Sequence, residues 1–264
     1  MATVMEMAWM PDVLRAYDRE CRECLRVGDP AYRVERGERI TRIVGPSEVA
    51  FENSVVWSRL DASTADEEIL GQIDAFAALG RDFEWKHFDH DEPRDLDRRL
   101  ADAGFRRGEP ETLMFLDVAA APVDRRPTIF DLRKIGPETL AEVMAVQTAV
   151  SGQAFPWLEE GLRRELEGDA IAIYAAYAND LPVSSGWIRF GSRFATIHGG
   201  ATLPAWRGRG AYDAILSRRL GEARARGVDW LVSDSTEMSR PRLERRGFTA
   251  AGRTTPFTWS RQKP

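Results

Sequence analysis

The 264-residue chain is poor in the residues that most often announce a metal or disulfide scaffold, with two cysteines and three histidines. Both cysteines fall in Cys21-Arg22-Glu23-Cys24. A redox Cys-x-x-Cys sits at a strand-to-helix junction. Here the flanks, Leu14–Glu20 and Leu25-Arg26, read as the middle of a charged helix, so two reduced thiols one helical turn apart are expected. Zinc would need two further ligands, and His87, His90 and His198 show no pair spacing that supplies them, so no metal is expected. Basic excess is missing too. Thirty-seven Lys and Arg against 42 Asp and Glu leave a formal net charge of −5, which argues against a nucleic-acid binder. The apolar runs are far shorter than a membrane span. Glu6 stands where a secretory leader carries basic residues, so the expected location is the cytoplasm.

What is present is 43% hydrophobic residues, enough for one large core or two modest ones. The most informative segment runs from Thr202 to Tyr212. An apolar stretch, Phe194 to Ile197, leads through Gly199-Gly200 and Pro204 into Arg207-Gly208-Arg209-Gly210. Apolar residues then recur at Tyr212, Ile215, Leu216, Leu220 and Ala223, the spacing of one helix face. Strand, basic glycine turn and helix follow one another. The first N–H groups of a helix lack internal partners, the helix dipole adds partial positive charge there, and glycine admits close approach of a phosphate. A P-loop is excluded because no lysine follows the glycines. A dinucleotide fingerprint is excluded because Asp213 stands where its third glycine belongs.

The segment resembles the Arg/Gln-x-x-Gly-x-Gly/Ala signature of the GNAT family of N-acetyltransferases. Arg207 takes the first position and Gly210 the first glycine, while Tyr212 departs from the usual Gly or Ala. Pro204 and Trp206 before the turn are similar to the family's order, as is the ending Ser239-x-x-x-Leu243-Glu244-Arg245-Arg246-Gly247-Phe248. The resemblance covers roughly residues 128–264.

Composition breaks at 118–127, a linker-like stretch with two prolines. We expect a mixed α/β fold of two domains, 1–120 and 127–264. The second reads as a strand at 128–134, helices at 137–150 and 157–168, and strands at 171–177, 183–190 and 194–202. The helix 208–226, a strand 230–233, a short helix and a strand at 257–259 complete it. The first reads as helix 11–27, strand 38–44, a strand around Val55-Val56-Trp57, helix 65–79, strand 83–88, helix 93–103 and strand 112–118. "Strand, helix, Gly104-Phe105, strand" repeats the plan at 230–259, so this half looks like a degenerate GNAT-like domain without the phosphate turn.

The resemblance implies an acetyl-CoA-dependent N-acetyltransferase, with direct attack of an amine on the thioester in a ternary complex. It implies that Gly200, Ala201 and Thr202 bind the pantetheine arm and that Arg207, Gly208, Arg209, Gly210, Ala211 and Tyr212 hold the pyrophosphate. The strand 194–202 has no Asp or Glu, so His198 is the first candidate for general base. Glu237 is the second and Asp234 the third. The family's acid, a tyrosine before Gly-Phe, is replaced by Leu243, which leaves Tyr212, Ser235 or Ser239 as donors, or departure of the thiolate as such. Aromatics at Phe155, Trp157 and Trp187 could line an acceptor pocket. The alternative is an acetyl-CoA-binding sensor without catalysis, since fold does not guarantee activity.

Overall fold

The structure is a computed structural model that describes residues 9–122 and 128–261. Residues 123–127 of the expected linker, and the opening Met1–Met7, lie outside the described residues. The chain forms two compact units, neither a continuous stretch. One comprises Met1–Met114, Asp234–Arg242 and Ala250–Pro264, and the other Phe115–Ser233 and Leu243–Thr249.

The first unit opens with helix α1 (Met10–Tyr17), which passes into a π-helical segment, Asp18–Glu23. The sequence predicts one α-helix over 11–27. The wider turn coincides with Arg22, which is buried against the core: it donates to Asp91 at 2.7 and 2.9 Å, to Asp18 at 2.8 Å and to the Val56 carbonyl at 3.0 Å, and it lies 3.7 Å over the Phe88 ring. Cys21 and Cys24 are free thiols.

A hairpin of β1 (Arg33–Arg36) and β2 (Ile40–Val44) replaces the single strand expected at 38–44. Antiparallel β3 (Ser54–Ser58), helix α2 (Ala65–Ala78) and β4 (Phe83–Phe88) follow, with β4 parallel to β3. Helix α3 (Leu96–Asp102), the short β5 (Arg106–Arg107) and β6 (Glu111–Asp117) come next. The last strand, β12 (Thr249–Trp259), pairs antiparallel with β4 from Thr254 to Trp259 and is far longer than the 257–259 predicted. Phe76 and Phe83 stack at 4.3 Å in a core completed by Ile69, Trp85, Leu96, Leu100 and Phe257.

The second unit is a meander of β7 (Asp131–Ile135), β8 (Ile171–Ala178), β9 (Leu181–Phe190) and β10 (Phe194–Thr202), all antiparallel. Helix α4 (Leu140–Ser151) and helix α5 (Pro156–Glu165) lie between β7 and β8 in sequence, and α6 (Ala211–Ala225) crosses from β10 to the parallel β11 (Trp230–Ser235). The sheet is therefore mixed. Short α7 (Arg240–Glu244) precedes Gly247, whose φ is +89°. Alternation along the strands puts α4 and α5 on one face and α6 on the other. Ile173, Ala175, Tyr177 and Trp187 pack with Leu140, Val143 and Leu162. Tyr174 instead donates its hydroxyl to Glu222 of α6 at 2.8 Å, and Gly186 faces Arg219 of α6. Among the described residues no helix is long and apolar enough to cross a membrane.

Candidate functional site

Strand β10 changes partners along its length. It pairs with β11 over Phe194–Thr196 against Trp230–Val232, while its pairing with β9 continues to Thr202 opposite Ser184. Between His198 and Ala201 the register with β9 slips, a bulge. Gly199 makes the bulge possible: its φ is +61°, and a Cβ there would lie 1.8 Å from the Trp187 ring. A side chain would be strained and would collide.

The carbonyls of this half-strand are held by side chains. Arg219 Nη1 donates to His198 O at 3.2 Å and to Trp187 O at 3.2 Å. Gln147 Nε2 donates to Gly199 O at 2.7 Å and to Ser185 Oγ at 2.9 Å. Ser184 Oγ donates to Ala201 O at 2.7 Å and sits 2.9 Å from Thr202 Oγ1. Arg207 Nε donates to Thr202 O at 3.2 Å. Arg219 is 1% exposed, and its Nε and Nη2 have no hydrogen-bond partner among the described residues. Burial draws its guanidinium below the ordinary value, with neighbouring Tyr212 opposing the shift.

Beyond Thr202 a 3-10 turn, Pro204–Trp206, carries the chain to Gly208 (φ +76°) and Gly210 (φ +90°). Space around both glycines is open where a Cβ would project. Gly210 is the N-cap of α6 and offers no side-chain cap; the first helical bond runs from Ala214 N–H to Gly210 O at 2.9 Å. The N–H groups of Ala211, Tyr212 and Asp213 therefore precede the intrahelical ladder and carry the positive end of the dipole. Arg207 and Arg209 are exposed, and Arg209 lies 4.9 Å over the Trp206 ring, which meets Phe130 edge-on at 6.1 Å. Tyr212, the departure from the motif, folds against the bulge: a Cβ on Gly200 would lie 2.6 Å from its ring. Gly200 supplies the room the aromatic residue needs. Gly200, Ala201, Thr202 and the turn 207–212 thus belong to one continuous edge of the second unit, with His198 two residues before it.

His198 is half-buried, with Nε2 at 2.8 Å from Thr196 Oγ1, as their shared strand face requires. Glu237 falls in the other unit, exposed in the turn after β11. Asp234 pairs with Lys86 Nζ. Of the alternative donors, Ser235 is buried and donates to Thr112 O at 3.2 Å, and Ser239 donates to Thr236 O at 3.2 Å. Leu243 is fully buried, so it is a core residue where the family has an acid. Among the described residues no group of three or more His, Cys, Asp or Glu could hold a metal.

Sequence reasoning missed Gln147, Ser184 and Arg219. One signal was available for Arg219. Ala211, Ile215, Arg219 and Ala223 lie at successive four-residue steps along the buried line of α6, and a charged residue on such a line is out of pattern.

No protein-family model matches the chain, and no curated protein matches its sequence. Solved structures do. A GCN5-related N-acetyltransferase from Kribbella flavida superposes with a TM-score of 0.66 at 12% identity, over 96% of this chain and 95% of that one. A GCN5-related N-acetyltransferase from Sphaerobacter thermophilus gives 0.59 at 16% identity, over 94% and 84%. A tandem GNAT protein from the clavulanic acid biosynthesis pathway gives 0.59 at 13% identity, over 91% and 87%. At these identities the likeness is one of fold: a mixed α/β fold shared with GNAT proteins.

Proposed function

We propose that the chain is an acetyl-CoA-dependent N-acetyltransferase acting on an amine. The observation that carries the reading is the uncapped start of α6 at Gly210, reached through two open positive-φ glycines and two exposed arginines. Backbone N–H groups, the dipole and formal charge converge there on a guest the size of a pyrophosphate. Strand β10, parted from β11 beyond Thr196, leaves an edge along which an extended pantetheine arm can run toward the turn.

In this reading the neutral amine attacks the thioester carbonyl carbon, the C–S bond breaks, and the sulfur departs with its electron pair. The amine's proton passes to His198, and the thiolate takes a proton from solvent or leaves as such. Alignment of two bound substrates supplies much of the rate. Apolar residues on the α4–α5 face, Phe155 and Leu158 packed against the cluster that contains Trp187, support an acceptor with apolar surface.

The first unit supports a tandem reading. Its β3–α2–β4 crossing repeats strand, helix and parallel strand. Its helix start is acidic, however: just ahead of α2, Asp61 accepts from the Ser63 N–H at 2.8 Å and the Thr64 N–H at 3.0 Å. Asp66, Glu67 and Glu68 line the first turn. That end repels a phosphate, so this half is read as a degenerate partner domain. The cytoplasm, and independence from metal, nucleic acid and membrane, complete the proposal.

A second reading, an acetyl-CoA sensor without catalysis, is favoured by two observations: Leu243 is core, and β10 carries no carboxylate. A thiol-release screen over primary amines, arylamines and peptide N-termini separates the two. Release of CoA thiol that falls in His198→Ala supports the enzyme. Binding of acetyl-CoA with no release from any amine leaves the sensor.

A further inference from the structure

Among the described residues two arginines are buried, Arg22 at 3% exposure and Arg219 at 1%. A cation taken out of water is costly unless an opposite charge goes with it. Arg22 carries Asp91 and Asp18 on its guanidinium. Arg219, between α6 and the sheet, has no carboxylate among the described residues; its hydrogen bonds run from Nη1 to two carbonyls, Trp187 O and His198 O. Burial lowers both guanidinium groups. Asp91 and Asp18 reverse the shift at Arg22, whereas Tyr212 alone opposes it at Arg219. The two Arg219 nitrogens with no partner among the described residues, Nε and Nη2, are the side-on pair of a guanidinium. Their N–H bonds lie parallel and grip a carboxylate or a single rounded anion. Arg189 uses that same pair on Glu165, at 2.6 and 2.7 Å. In Arg219 the pair lies opposite Nη1, so it points away from the Trp187 and His198 carbonyls, the groups that would repel an anion.

We infer that the Nε–Nη2 edge of Arg219 is a seat for a small monovalent anion of the chloride class, enclosed between α6 and the sheet. The inference stands apart from the acyl-CoA reading above. One negative charge balances one guanidinium, whereas a dianion such as sulfate would leave a net charge with no water around it. Close neighbours favour a small guest as well: a Cβ on Gly186 would lie 3.0 Å from Arg219 Nη1, and the Tyr212 ring stands 5.9 Å from Arg219 Cζ. A halide needs only converging N–H donors and has no second lobe to house. Arg219 already bonds β9 and β10, so an anion that neutralises it fastens α6, the helix that starts at Gly210, onto the sheet.

The test uses the full chain, as wild type, Arg219→Met and Arg219→Gln. Thermal unfolding is followed as chloride rises from about 1 to about 100 mM, with gluconate keeping the ionic strength constant. The wild-type Tm is expected to climb by roughly 2–4 °C for each tenfold rise in chloride beyond the Kd. Bromide should act like chloride, and sulfate should not. R219M and R219Q are expected to show the same Tm in chloride as in gluconate. Wild-type crystals grown in bromide give the second readout, an anomalous peak within hydrogen-bond reach of Nε and Nη2. A wild-type Tm that is equal in chloride and gluconate overturns the inference. So does a chloride response of the same size in R219M or R219Q, which marks a general salt effect. Where neither variant folds, the bromide crystals decide, and a water without anomalous signal at Nε and Nη2 overturns the inference.

Discussion

At the scale of single residues, the site is shaped by what is left out. Gly208 and Gly210 have open space where a Cβ would project and hold a positive φ that glycine tolerates, while Gly199 and Gly200 have rings pressed against them. Leu243 belongs to the second kind of position. With no exposed surface, it has no room for the phenol that its place in the motif suggests. Leu243→Tyr is therefore expected to cost about 1–3 kcal/mol of stability through overpacking, and to bring no gain in turnover. A lower urea midpoint with unchanged kcat is the expected result; a faster enzyme of undiminished stability would show that an acid was wanted there. Arg219 is the residue that sequence periodicity passes over. A single charge barely lowers the apolar average of a helix face, although its burial is where its meaning lies. Gln147 left no trace in the sequence at all, because a neutral amide at a helix position signals nothing until the carbonyl it meets is known.

Among elements, the strong periodic ones were legible and the charged or irregular ones were not. Helices α2, α4, α5 and α6 and strands β4, β8, β9 and β10 stand within a few residues of the sequence expectation. Strand β1, Arg-Val-Glu-Arg, has too little apolar alternation to announce itself, and β12 hides most of its length in threonines, a glycine and Pro256. Two glycines before the turn were visible in the sequence, but nothing there marked the register slip between His198 and Ala201.

Residues of β4, β6 and β11 also gather into a charged group that no motif marks, its four members all in the first unit. Lys86 pairs with Asp234, and Glu84 and Glu111 stand near it. Burial, reinforced by Glu111 and Asp234 and opposed by Lys86, holds the Glu84 carboxyl above its ordinary 4.5. A carboxyl raised in the folded state favours folding while it is protonated, and that support is lost as pH climbs through the raised value. Glu84→Gln removes the ionisation. Denaturation between pH 4 and pH 8 is expected to find the variant more stable than wild type at the upper end, with the gap closing toward pH 4. A gap of the opposite sign at pH 8 would mean that attraction to Lys86 outweighs burial.

For the molecule as a whole, two units contain a strand–helix–parallel strand crossing, and one of them presents an open helix start. The other, at α2, has an acidic first turn with the carboxylate of Asp61 just ahead of it. Acetyl-CoA is therefore expected to bind with a stoichiometry of one per chain, the value that equilibrium dialysis with labelled ligand would give. Two sites per chain would place a phosphate against Asp61 and contradict the degenerate reading. Gly104-Phe105 and Gly247-Phe248 suggest a repeated plan in the sequence, but nothing there marks the path by which residues 234–242 and 250–264 join the first unit. That path depends on long-range strand pairing, which local pattern does not encode.

The most direct measurement is isothermal titration of acetyl-CoA into wild type and Gly210→Val. Gly210 holds φ +90° beside open space, so valine there strains the turn and fills the volume a phosphate needs. The expected result is a single binding event in the wild type that disappears in a variant whose circular dichroism remains that of the folded chain. A folded variant that binds acetyl-CoA as tightly as the wild type, or a wild type that shows no binding heat across temperatures, would contradict the placement of the diphosphate at the start of α6.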